Sequence, residues 1–165
     1  IKPKNNQIPP NLKLLLTDKR VTKVFHFALT DVAFIKTSMN INVEPFCCTK
    51  VMSKLIRTYT QDHGLKDLIL EVHGKQINKE QQQSNWGDSD LSQKQLEYAA
   101  NDVLYLIKIY RKLLEMMNSR SKLKSGINIL ELNKKAQSFL PGLVELLING
   151  YGDKDGGWGI SLFSH

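Results

Sequence analysis

The stretch from Leu91 to Met117, LSQKQLEYAANDVLYLIKIYRKLLEMM, constrains this chain more than any other. Ser92 and Gln95 have the spacing of a capping box, so a helix starts here, and neither Pro nor Gly interrupts it before Met117. Advancing about 100° per residue from Leu96 brings Ala100, Val103, Ile107, Tyr110 and Leu114 within about 40° of it, which reads as one core face. Tyr105, Leu106, Ile109 and Leu113 form a second apolar arc from about 180° to 280°, with Asp102 inside it at about 240° and Tyr98 one turn earlier. A carboxylate in that arc is costly unless a metal ion, a basic side chain or backbone donors pair with it. Two readings stay open: a structural Asp held by a hydrogen bond, and an acid with chemistry to perform.

A chain of 165 residues is long enough for one domain with a real core. Lys and Arg total 23 against 16 Asp and Glu, a net charge of +7, which fits an anionic partner such as nucleic acid. The two cysteines, Cys47 and Cys48, are adjacent and build no disulfide framework, as suits a reducing cytoplasm. Apolar runs are too short to cross a bilayer, and IKPKNNQIPP has no apolar signal-peptide core. We expect a cytoplasmic protein with no membrane partner.

Taken in order, Asn11 caps a short helix over Leu12–Leu16, and Val21–Phe27 (VTKVFHF) alternates as a strand. Thr30 or Asp31 then caps a helix carrying Val32, Phe34, Ile35 and Met39. Asp31 thus sits where a strand ends and a helix begins, either as a plain N-cap or where α/β sheets gather ligands. Phe46–Tyr59 reads as a helix whose Lys50, Lys54 and Arg57 form a basic stripe, either a solvated face or a phosphate contact. Leu65–Val72 is another helix, ended by Gly74. Residues 75–90 are polar around Trp86, a ring that can plug a loop or stack a base. Beyond a basic connector, Ile127–Phe139 and Leu143–Ile148 read as two helices, with Pro141 opening the second. His63, His73 and His165 lack metal-ligand spacing and read as surface residues. A lone strand cannot bury itself, so VTKVFHF needs partners that the pattern does not reveal.

HFALTD (26–31), CTKVMSKLIRTYT (48–60), HGLKDL (63–68), QQQSNW (81–86) and LSQKQLEYAANDVLYL (91–106), in this order and at sensible spacing, resemble bacterial ribonuclease D. That family holds 3′–5′ exoribonucleases of the DEDD superfamily, in the branch marked by a catalytic Tyr. The resemblance covers roughly residues 11–117, and more loosely the tail. It implies an α/β, RNase H-like 3′–5′ exonuclease fold over residues 1–120, with 121–165 as a short helical C-terminal extension. It implies a divalent cation, Mg²⁺ or Mn²⁺, held by Asp31 and by Asp102 of the Y-x-x-x-D motif, with Tyr98 orienting the attacking water. His26, Lys50, Arg57, Gln83 and Trp86 are the implied contacts to a single-stranded RNA 3′ end. Asn85 replaces the Asp of the family's S-D-W segment, and His26 stands where many relatives carry Asn.

The family's first motif, D-x-E in an N-terminal strand, has no match, since residues 1–10 contain neither Asp nor Glu. The expectation is an N-terminally incomplete fold, predominantly helical with few strands. Its two-metal site is half-built and its activity alone is impaired, unless a companion fragment supplies the motif. The implied role is trimming of tRNA and other stable RNA. The alternatives are a non-catalytic nucleic-acid-binding remnant and a DNA-directed exonuclease of the same superfamily.

Overall fold

The computed structural model describes residues 8–77, 84–87, 90–120 and 126–151, with the side chain of Asp102 outside that description. Its architecture is α/β and predominantly helical around a small parallel sheet. Helix α1 (Pro10–Thr17) opens with Pro at its first position, where the missing N–H costs nothing. Strand β1 (Lys23–Phe25) pairs in parallel with β2 (Phe46–Cys48), in the register Lys23↔Phe46, Val24↔Cys47 and Phe25↔Cys48. Parallel neighbours require a crossover, and α2 (Ala28–Met39) provides it. The partner that VTKVFHF lacked therefore comes from within the chain. Phe46–Cys48, expected as helix, is a three-residue strand too short to show a period, and α3 (Thr49–Ile56) follows without a loop.

Helix α4 (Leu65–His73) ends as expected, at Gly74 in the left-handed region with φ of 64°. The long 91–117 helix is two helices. α5 (Gln93–Leu104) and α6 (Leu106–Ser119) meet at Tyr105. The capping box forms as the sequence predicts: Ser92 Oγ accepts from the Gln95 N–H, and Gln95 Oε1 accepts from the Ser92 N–H. The core face is the reverse of the expected one. Leu106, Ile109, Leu113 and Met117 are buried, whereas Leu96, Val103 and Ile107 are about half exposed or more. The reason is tertiary, since α6 turns its second arc toward α3, α4, α7 and β1, while α5 packs mainly on α6. Helix α7 (Ile129–Ile148) runs straight through Pro141, so the two expected C-terminal helices are one. Its buried line is Ile129, Asn133, Ala136, Leu140 and Val144, which leaves Ile127 and Phe139 exposed.

Two apolar clusters result. One packs Leu29, Val32 and Ala33 of α2 against Ala136, Leu140 and Val144 of α7. The other joins Met52 and Ile56 of α3, Leu68 of α4, and Ile109, Leu113 and Met117 of α6. Each fully buried aliphatic side chain contributes about 1.5–3 kcal/mol. His63, read as a surface residue, is buried, and its Nδ1 lies 2.9 Å from Ser53 Oγ. His165 lies outside the described residues. No described helix is long and apolar enough to cross a membrane.

Candidate active site

Asp31 is carried by an elbow. β1 ends at Phe25, and α2 begins at Ala28 with Phe27 as its N-cap, at φ 63° and ψ 53°. A bulky side chain in the left-handed region costs on the order of 1–3 kcal/mol, and such residues cluster at functional sites. No side chain caps this helix, so the expected Thr30 or Asp31 N-cap is not made. Asp31 instead lies in the first turn, where the helix dipole favours negative charge.

The elbow is held from α3. The Thr49 hydroxyl, fully buried, donates to the Phe25 carbonyl at 3.1 Å. Its oxygen lies 3.0 Å from His26 Nδ1. Lys50 Nζ sits 4.7 Å from the centre of the Phe27 ring, a cation–π contact. Burial, reinforced by the Lys50 cation, pushes the His26 imidazole down to about 4, so the ring is neutral at pH 7. Burial also lowers Lys50 below the ordinary lysine value. The structure thus brings His26, Lys50 and the base of α2 together.

A second group forms at the start of α5. The Trp86 and Tyr98 rings lie 6.0 Å apart at 50°. Gln95, buried at 6% exposure, donates from Nε2 to Ser84 Oγ and to the Asn85 carbonyl, each at 3.1 Å. Asn85 Oδ1 accepts from the Gly87 N–H at 3.0 Å, closing the turn that presents Trp86. Gln95 thereby does more than cap: it fastens the Trp86 turn to the helix that carries Tyr98 and Asp102. That role had a sequence signal in the capping box, whereas those of Thr49 and Phe27 had none.

Arg57 does not belong to an exposed basic stripe. Its guanidinium is buried, donating to Glu71 Oε2 from Nε at 3.0 Å, to Ser53 Oγ at 2.9 Å and to the Asp62 carbonyl at 2.7 Å. A charge this buried needs such partners, and they account for its place in the fold. The Arg57 hydrogen bond holds Glu71 below the usual carboxylate value. Gln83 lies outside the described residues. Carboxylates at Asp31 and Asp102 suit a hard divalent cation. Among the described residues, which leave out the Asp102 side chain, no three His, Cys, Asp or Glu side chains gather in one place.

A family model described as 3′–5′ exonuclease matches residues 2–118. Ribonuclease D of Xanthomonas oryzae pv. oryzae is 32% identical over 112 residues, covering 68% of this chain and 31% of that protein. The chain thus spans about a third of the length of the curated ribonucleases D it matches. The structure of Brucella melitensis NrnC is 38% identical with a TM-score of 0.81, over 92% of this chain and 70% of that one. NrnC structures with bound Mg²⁺ and bound to pGG match with TM-scores of 0.80. Escherichia coli RNase D, at 23% identity and a TM-score of 0.58, shares the fold. The fold is that of the RNase H-like exonucleases, and the chain belongs to the 3′–5′ exonuclease family.

Proposed function

We propose that this chain serves a 3′–5′ exoribonuclease of the ribonuclease D and NrnC type, shortening single-stranded RNA from its 3′ end in the cytoplasm. Trimming of tRNA and other stable RNA precursors is the role we assign to it. The observation that carries the reading is the strained Phe27 elbow, a local cost that presents an acid at the mouth of a parallel strand. The Asp31 and Asp102 carboxylates would hold a divalent cation, Mg²⁺ or Mn²⁺, and the NrnC structure with bound Mg²⁺ supports that class of ion. When bound, the metal supplies Lewis acidity and a more acidic water. Tyr98, one turn before Asp102, would orient the attacking water through its hydroxyl, and the neighbouring Trp86 ring limits where the Tyr98 ring can go. Neutral His26 steadies the elbow through Thr49 beside the terminal nucleotide, and Lys50 offers charge to its phosphate. Trp86 would stack a base, a role its exposed ring supports. NrnC bound to pGG supports a short guanosine oligonucleotide as a ligand class.

The experiment is hydrolysis of 3′-labelled single-stranded RNA with Mg²⁺, Mn²⁺ or EDTA, by the chain alone and with an added segment carrying D-x-E. Metal-dependent 3′ shortening that disappears in Asp31→Asn is the expected result, with the added segment increasing it. The absence of shortening in every arrangement overturns the reading. Salt-sensitive RNA binding without cleavage then supports the non-catalytic alternative.

A further inference from the structure

Helix α7 lies outside the span that matches the exonuclease family. Yet its Gln137 reaches the start of α3 and makes the two hydrogen bonds that a neighbouring strand would make. Its Oε1 accepts from the Cys48 N–H at 2.9 Å, and its Nε2 donates to the Cys48 carbonyl at 3.1 Å. Nε2 also donates to Oδ1 of Asn133, one turn earlier and buried, at 3.1 Å, which fixes the amide's orientation. Cys48 is the N-cap of α3. The next residue, Thr49, carries the hydroxyl that ties to Phe25 and His26, and Lys50 covers the Phe27 ring. The same α7 packs along α2 and pairs Glu145 with Lys36. One helix therefore packs on both α2 and α3, and the Gln137 amide adds the two hydrogen bonds that fix the start of α3.

A left-handed Phe persists only where its surroundings over-determine it. If Cys48 moves, Thr49 loses its reach to Phe25, and Phe27 can relax to negative φ. That rotates the first turn of α2. We propose that Gln137 is a positioning residue for Asp31, registering Cys48 and Thr49 against β1 so that the Phe27 elbow keeps the turn that presents the carboxylate. The use made of Asp31 rests on the function proposed above; the registration itself does not.

The test compares Gln137→Met, Thr49→Val and the double variant in the full chain, by amide hydrogen exchange. Met fills the same volume but leaves both Cys48 backbone groups unpaired. Exchange over residues 27–31 should quicken about 10-fold in each single variant, while Ile109–Met117 changes by less than about twofold. The double variant should be no faster than either single one, because both residues act through one strut. Uniform acceleration in both segments, multiplicative effects in the double variant, or an unchanged elbow each overturns the proposal. In the RNA trimming assay, Gln137→Met should lower kcat by at least about 10-fold with KM unchanged; a raised KM with intact kcat overturns it. A native chain that trims nothing sinks the nuclease reading alone, and the exchange arm still judges Gln137. If Gln137→Met does not fold, Gln137→Glu, which keeps the acceptor for the Cys48 N–H, carries the same measurements.

Discussion

His26 is neutral in the fold because burial and Lys50 both oppose its proton. Its folded pKa of about 4 lies below the ordinary 6.5, so between those values the unfolded chain binds a proton that the native one refuses. Stability is therefore intact above pH 6.5 and falls as the pH drops toward 4. At pH 5 the loss from this residue is about 2 kcal/mol. Urea unfolding of His26→Gln should show a drop between pH 7.5 and 5.0 that is smaller by about that amount. His63, lowered by burial and then by Arg57, Lys54 and Lys50, adds acid sensitivity of the same sign. Arg57 predicts a contrasting pattern. Arg57→Met removes the partner of Glu71 and two further hydrogen bonds, to Ser53 and Asp62, and should cost about 2–4 kcal/mol. The salt dependence of RNA binding should not change, because this guanidinium is spent inside the fold. The types and order of Asp31, Tyr98 and Asp102 could be read in the sequence. The burial of Arg57 and His63 could not, since no local pattern distinguishes a solvated cation from one that folds back onto Glu71.

The elements show where periodicity informs and where it fails. The capping box at Ser92 and the stop at Gly74 are local chemistry, and both formed as expected. The apolar arcs of 91–117 were visible, but which arc faces inward is decided by what α6 packs against. Ile109→Ala should therefore cost about 2–5 kcal/mol, whereas Leu96→Ala should stay within about 0.5 kcal/mol. Equal costs at the two positions in thermal unfolding would refute the observed assignment. Strand β2 was hidden because three residues before a helix carry no period of their own. In α7 the buried line passes through the polar Asn133 while the large apolar Phe139 is exposed, so hydropathy alone does not mark its inner face. Pro141 suggested a boundary, yet the helix continues through it.

Across the molecule, two well-packed clusters hold α2 to α7 and α3 to α6, while α5 stands apart. α5 buries no apolar side chain, and Gln95 is its one buried residue among those described. Its tether is therefore a handful of polar contacts and a junction at Tyr105, which Lys75 Nζ touches at the hydroxyl, 2.7 Å away. Local opening free energy follows buried apolar contact, so the molecule is divided into a slow-opening body and one fast-opening arm. Limited trypsin digestion should cut at Lys94 well before Lys134 or Lys135, and RNA that docks on Trp86 and Tyr98 should delay that first cut. Equal cutting rates would show α5 to be as firmly held as the rest. The helix that carries Tyr98 and Asp102 would thus be the first part of the fold to be lost to heat or protease.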